Sequence, residues 1–320
     1  MKMRLRVLVF CMSMGLAAPG VSEEKKAPPK LTVAYRFTSA FGQKGGGVGH
    51  FHEPSAIAID SFGNLYVADT GNDRVQKFDT DGTYVSEVGT FGWDPGQFSQ
   101  PAGVAVGKGG LEVCVADGRN NRIQIFSPHF RLLGVVGGRD VDGPIRLGTL
   151  GGIAVSEDGE LYVSDTDADQ VVQISDYSPV ENQFGGYGYG AGRLRRPLGL
   201  AVGQKNEVYV CDSENDRVAV FDRYGEFRKS LVEGSLSEPA GVCTGPEDVL
   251  FVADSGHHRI VVLDLRTGEA ASLIGGPDAG QRPGAFRAPR DVAFSAGKFL
   301  FVLDAGNHRV QKFEMLITRR

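Results

Sequence analysis

Long hydrophobic runs are scarce in this chain of 320 residues. One stands near the start, Val7 to Ala18, and its twelve residues fall short of the roughly 20 that a membrane-spanning helix needs. Cysteine is rare too, with four copies, and histidine with six. Excess positive charge is also missing: 34 basic against 39 acidic side chains leave a formal charge of −5. That balance disfavours general binding to nucleic-acid phosphates. No strand–turn–helix nucleophile elbow and no glycine-rich phosphate loop opening a helix can be placed. Gly45-Gly-Gly47 and the glycines from Gly185 to Gly192 lie between strands, where they serve turns.

The apolar run reads as a leader. Lys2, Arg4 and Arg6 precede it, and the small residues Ala17, Ala18, Gly20 and Ser22 follow. Residues 1–22 are therefore expected to be a signal peptide, 23–30 a short linker, and the mature protein secreted or periplasmic. Cleavage after Ser22 leaves 31 basic side chains and a charge of about −8. Cys114, Cys211 and Cys243 remain, an odd number that cannot pair completely. All three fall among apolar strand residues, so buried free thiols are expected, with a Cys211–Cys243 bridge between neighbouring repeats as the alternative.

Glycine is abundant, with 45 residues, and the chain repeats itself. Leu65-Tyr-Val-Ala-Asp69, a polar turn and Arg74-Val-Gln-Lys-Phe78 return as Val113-Cys-Val-Ala-Asp117 with Arg122-Ile-Gln-Ile-Phe126. The aspartate recurs at Asp165, Asp212, Asp254 and Asp304, and an arginine follows five residues later at Arg217, Arg259 and Arg309. The third repeat has Gln170 instead. A second motif, Gly-x-Phe/Leu-x-x-Pro, precedes every unit except the third, where Leu150 takes the proline position. Both motifs keep step at 42 to 50 residues.

Each unit reads as four short strands between turn clusters. The blades are expected at about 54–89, 101–137, 150–185, 197–234, 239–275 and 289–315. The last unit lacks a fourth strand, and residues 33–42 supply one from the other end of the chain. The prediction is an all-β, six-bladed β-propeller of four-stranded antiparallel blades, with an N-terminal strand closing the last blade. Residues 31–320 make up the propeller, which is expected to be monomeric.

These residues resemble the NHL repeat family, in which a proline-led inner strand precedes V-A-D, a tight turn and R-V-Q/I. Val67-Ala-Asp-Thr-Gly-Asn-Asp-Arg-Val-Gln76 and Asp304-Ala-Gly-Asn-His-Arg-Val-Gln311 carry the likeness. The resemblance implies a fold more than a function. The recurring aspartates and arginines are read as structural, because a residue needed for blade geometry must return in every blade.

Some proteins with this fold are enzymes. The peptidylglycine amidating lyase, which resembles these repeats, holds zinc with histidines from three blades beside catalytic Arg and Tyr. The matching mouth positions here are Glu53, Gln100, Thr149, Arg196, Glu238 and Ala288, and none is histidine. His50 and His52 are the candidates for a metal; His257, His258 and His308 stand at turn positions held elsewhere by Asn or Asp. No cofactor is predicted, a channel cation such as zinc or calcium is left open, and no catalytic residue is assigned. Intracellular propellers of this kind bind RNA or serve ubiquitin ligases, but their RING and coiled-coil modules are missing here.

The leading expectation is a non-catalytic binding scaffold; the alternative is a metal-dependent lyase or hydrolase at the central channel. The long loops between blades hold Phe91, Arg193, Arg282 and Phe286 besides the candidate binding residues Trp93, Tyr187, Tyr189, Arg195, Arg196, Arg287 and Arg290. Aromatic and arginine side chains anchor binding hot spots. On an acidic protein they point to a protein, a peptide or an anionic glycan. Phe98, Leu194, Leu236 and Phe286 share one motif position and are expected to pack between blades.

Overall fold

A computed structural model describes residues 30–138, 146–175, 180–295 and 298–319. The proposed signal peptide lies outside the described residues. The described residues form six antiparallel sheets of four strands each. In the first blade, β2 (Ala56–Ile59) lies innermost, followed outward by β3 (Leu65–Asp69), β4 (Arg74–Phe78) and β5 (Tyr84–Val88).

Burial explains the sequence pattern. β3 and β4 are buried at every residue, because neighbouring blades cover both faces, and such strands read as unbroken apolar runs. β5 alternates between half-buried and exposed residues, as an outer strand covered on one side should. The core therefore lies between blades, in six clusters that each draw on two adjacent blades. Phe51, Phe98, Leu194, Leu236 and Phe286 are all buried there. Phe51, Phe98 and Phe286 meet the rings of Phe78, Phe126 and Phe313 with centroids 5.6, 5.9 and 5.9 Å apart.

Blade boundaries are marked by left-handed backbone. Gly89, after β5, has φ 112° and leaves no room for a Cβ, which would stand 2.4 Å from the ring of Phe98. In the fourth blade this position belongs to Val232, at φ 49°, so the outer strand stops at Leu231 rather than running to Gly234.

The ring closes through β1 (Leu31–Phe41), which pairs antiparallel with the final strand, Arg309–Arg319. The register runs from Leu31 opposite Arg319 to Phe41 opposite Val310, with an irregularity between Phe37 and Ser39. Among the described residues Cys211 and Cys243 are unbridged thiols, so no disulfide joins them. No helix among the described residues is long and apolar enough to cross a membrane.

Candidate functional site

The hairpins between second and third strands share one face of the ring with the loops that lead into each inner strand. In the first blade, Asp69 ties the two together. Its Oδ1 accepts the N–H of His52 at 2.7 Å, and its Oδ2 accepts from Arg74 Nε, Asn72 and Gln76 at 2.8, 2.8 and 3.1 Å. Arg74 reaches on to the carbonyls of Gly47 and His50 in the incoming loop.

The same joint recurs. Asp117, Asp212, Asp254 and Asp304 accept the N–H groups of Ser99, Arg195, Ser237 and Arg287, and they pair with Arg122, Arg217, Arg259 and Arg309. Burial pushes the carboxyls of Asp117 and Asp212 up, against the downward pull of these donors. Asp165 has no such arginine; it accepts the N–H groups of Gly148, Asp167 and Ala168.

Each hairpin ends on a left-handed residue: Asp73, Asn121, Asp169, Asp216, His258 or His308. Asn, Asp and His tolerate that conformation best among side-chain-bearing residues. Four of these side chains reach the next blade. Asp73, Asp169, Asp216 and His258 accept the N–H groups of Gln100, Arg196, Glu238 and Ala288 at 2.8, 2.6, 2.9 and 3.1 Å. His258 and His308 thus serve as turn residues.

The seven candidate binding residues separate into two groups. Trp93, Tyr187 and Tyr189 stand on the rim, 59, 67 and 66% exposed. Trp93 pairs with Phe91, and Tyr187 with Tyr189, at centroid distances of 5.4 and 6.4 Å. The pairs occupy equivalent loop positions, marked by the bridges Phe91–Phe98 and Tyr187–Leu194. Arg195 lies over Tyr189 at 4.6 Å and forms an ion pair with Glu214 at 2.8 Å, so the rim is more aromatic than cationic. The hairpin donors hold these loops: Arg122 donates to the carbonyl of Trp93, and Asn215 to that of Gly188. Arg287 is exposed, beside Gly306.

Arg196 and Arg290 belong elsewhere. Both line the axial cavity, of about 930 Å³, that the six inner strands enclose. Arg290 keeps solvent contact at the mouth, but the protein crowded around it and the charge of Arg196 hold it below its ordinary value, while Glu238 and Glu53 draw it back up. The neighbouring Asp291 accepts the N–H groups of Ile57 and Val292, both at 2.9 Å. Burial carries its carboxyl up to about 7 against those two bonds. Sequence reasoning passed over Asp291. The signal was its place in the repeat, where the other blades have Ala56, Gly103, Gly152, Gly199 and Gly241. Those small residues let inner strands approach: a Cβ on Gly199 would lie 2.6 Å from the Ala240 carbonyl.

The two candidate metal ligands have local partners. A ring nitrogen of His50 lies 2.7 Å from Gln43, and one of His52 lies 3.2 Å from the Gly71 carbonyl. Among the described residues no three His, Cys, Asp or Glu side chains converge to hold a metal ion. The residues present do not fit a three-histidine zinc centre.

The family model described as NHL repeat matches residues 51–78, 98–126, 194–221, 236–263 and 286–313. These segments belong to every blade except the third, which lacks the proline and the arginine. Protein brain tumor of Drosophila melanogaster is 26% identical over 162 residues, 49% of this chain and 15% of that protein. The probable peptidyl-alpha-hydroxyglycine alpha-amidating lyase pgal-1 of Caenorhabditis elegans is 35% identical over 81 residues, 24% of this chain and 23% of that one. The chain thus spans less than a quarter of either relative. Virginiamycin B lyase from Staphylococcus aureus superposes with a TM-score of 0.59 at 13% identity, over 90% of this chain and all of its own. That likeness shows the fold alone.

Proposed function

From a chain whose five recognised NHL repeats and divergent third blade close one ring, we propose a non-catalytic, extracytoplasmic binding module. It acts as a monomer and presents its hairpin-and-loop face to a protein or peptide. The two exposed aromatic pairs at equivalent loop positions carry this reading. Large aromatic side chains on loops already fixed by buried arginines lose little freedom on binding, which favours hot spots. The positive residues and apolar run before Ser22 support export.

The relatives include a protein named as a lyase, and that activity is a second class of function the fold accommodates. The ligand set of the described residues argues against a zinc-dependent version here. The test is capture of binding partners by the native protein and by a Trp93/Tyr187/Tyr189 triple alanine variant. Loss of a captured partner at an unchanged melting midpoint supports the rim as the binding face. Undiminished capture rejects it, and stoichiometric zinc in the purified native protein would restore the lyase reading.

A further inference from the structure

The inner strand of the sixth blade breaks a rule that the other five keep. The position after the proline, or after Leu150 in the third blade, is Ser55, Ala102, Gly151, Leu198 or Ala240, and in the sixth blade it is Arg290. Blade geometry does not require a guanidinium there, since five blades do without one. Arg196, from the fourth blade, lines the same cavity. Its backbone is held left-handed at φ 49°, and its N–H is fixed on Asp169.

The two side chains differ from the hairpin arginines in what they bind. Arg74 or Arg122 is saturated by a carboxylate and loop carbonyls. Among the described residues, no hydrogen bond or ion pair engages the guanidinium of Arg196 or Arg290. Asp291, next along the strand, directs its oxygens to backbone N–H groups and does not neutralise Arg290. Glu53 and Glu238 act on Arg290 through their charge, but neither forms an ion pair with it, so both exposed guanidiniums keep hydrogen-bond donors free for an anion. Farther along the axis five blades place Ile59, Val106, Val155, Val202 and Phe294 on the wall, and Thr244 takes that position in the remaining one.

We propose that the channel mouth is a binding site for a small amphiphilic carboxylate, its head held by Arg196 and Arg290 and its apolar body in the axial cavity. The site is separate from the aromatic rim. The position of Asp291 below the arginines favours a single negative charge at the mouth over a ligand with a second charge deeper in the channel.

The experiment uses octanoate as probe, octanamide as its uncharged counterpart and inorganic phosphate as an anion without an apolar body, each titrated calorimetrically into the whole protein. Octanoate is expected to bind more tightly than either of the others. Arg196→Gln and Arg290→Gln should each weaken it at least about tenfold, as loss of a charge-assisted hydrogen bond implies. Arg287→Gln should leave it unchanged, and so should the rim alanine variant, which separates this site from the proposed partner face. Circular dichroism and melting midpoints establish that the glutamine variants are folded. Absence of octanoate binding, equal binding of octanamide or phosphate, or binding that survives the Arg196/Arg290 double variant would each overturn the proposal.

Discussion

At the scale of the residue, one carboxylate does several jobs. Asp69 is fully buried, and its two oxygens gather an incoming-loop N–H, an asparagine, a glutamine and a guanidinium. Removing it leaves the buried Arg74 with only the part-exposed Glu87, 3.0 Å away, as counter-charge; losing a buried partner typically costs about 3–5 kcal/mol, and Glu87 holds the loss to the low end of that range. Asp165 differs because, among the described residues, its hydrogen-bond donors are all backbone N–H groups. Asp165→Ala should therefore cost less than Asp69→Ala, about 1–3 kcal/mol. Denaturant midpoints of the two variants check this, and equal losses would show that the guanidinium is not the deciding partner. These aspartates and arginines were legible in the sequence because they recur. The split between Arg195 and Arg196 was not. They are neighbours in the chain, but the left-handed backbone at Arg196 sends one side chain to the rim and the other to the axis.

At the scale of the element, β1 decides whether the ring has a free edge. Its eleven residues cover the final strand, Arg309–Arg319, whose backbone groups would otherwise be unpaired on one side. An exposed edge of that length is a template for another chain. A protein lacking residues 31–41 should self-associate, seen as a shift to larger species in size-exclusion chromatography. A monomeric elution with an unchanged melting midpoint would show that β1 is dispensable. The four-strand plan and this closure could be read from the sequence because a leftover strand matched a gap. The ending of the fourth blade could not: Val232 takes the left-handed turn that glycine makes at Gly89, so the glycine at Gly234 misplaces the boundary by sequence alone.

At the scale of the whole molecule, six inner strands converge on one axis, and a single carboxyl interrupts their small residues. Asp291 has its ordinary value of 3.8 when unfolded and about 7 when folded. Between those values the folded protein holds one more proton than the unfolded chain, so stability falls as pH rises through that window and levels off above it. The contribution is fully present below about pH 4 and amounts to at most about 4 kcal/mol. Asp291→Asn should remove this part of the dependence. Its melting midpoint relative to the native protein should improve between pH 5 and pH 8, and parallel profiles would refute the assignment. Charge within a repeat position was visible in the sequence, but its burial depends on the ring being closed.

That closure also imposes an order on biosynthesis. Arg36 meets Glu314 across 278 positions of chain. At ~5–20 residues per second, a ribosome needs roughly 14–56 s to deliver that partner after the first strand has emerged. Blades made earlier can assemble during translation, whereas β1 must wait, unpaired, until Arg309–Arg319 has been made. During that interval the edge of the last sheet and its partner strand are both open to other chains, before the circle locks.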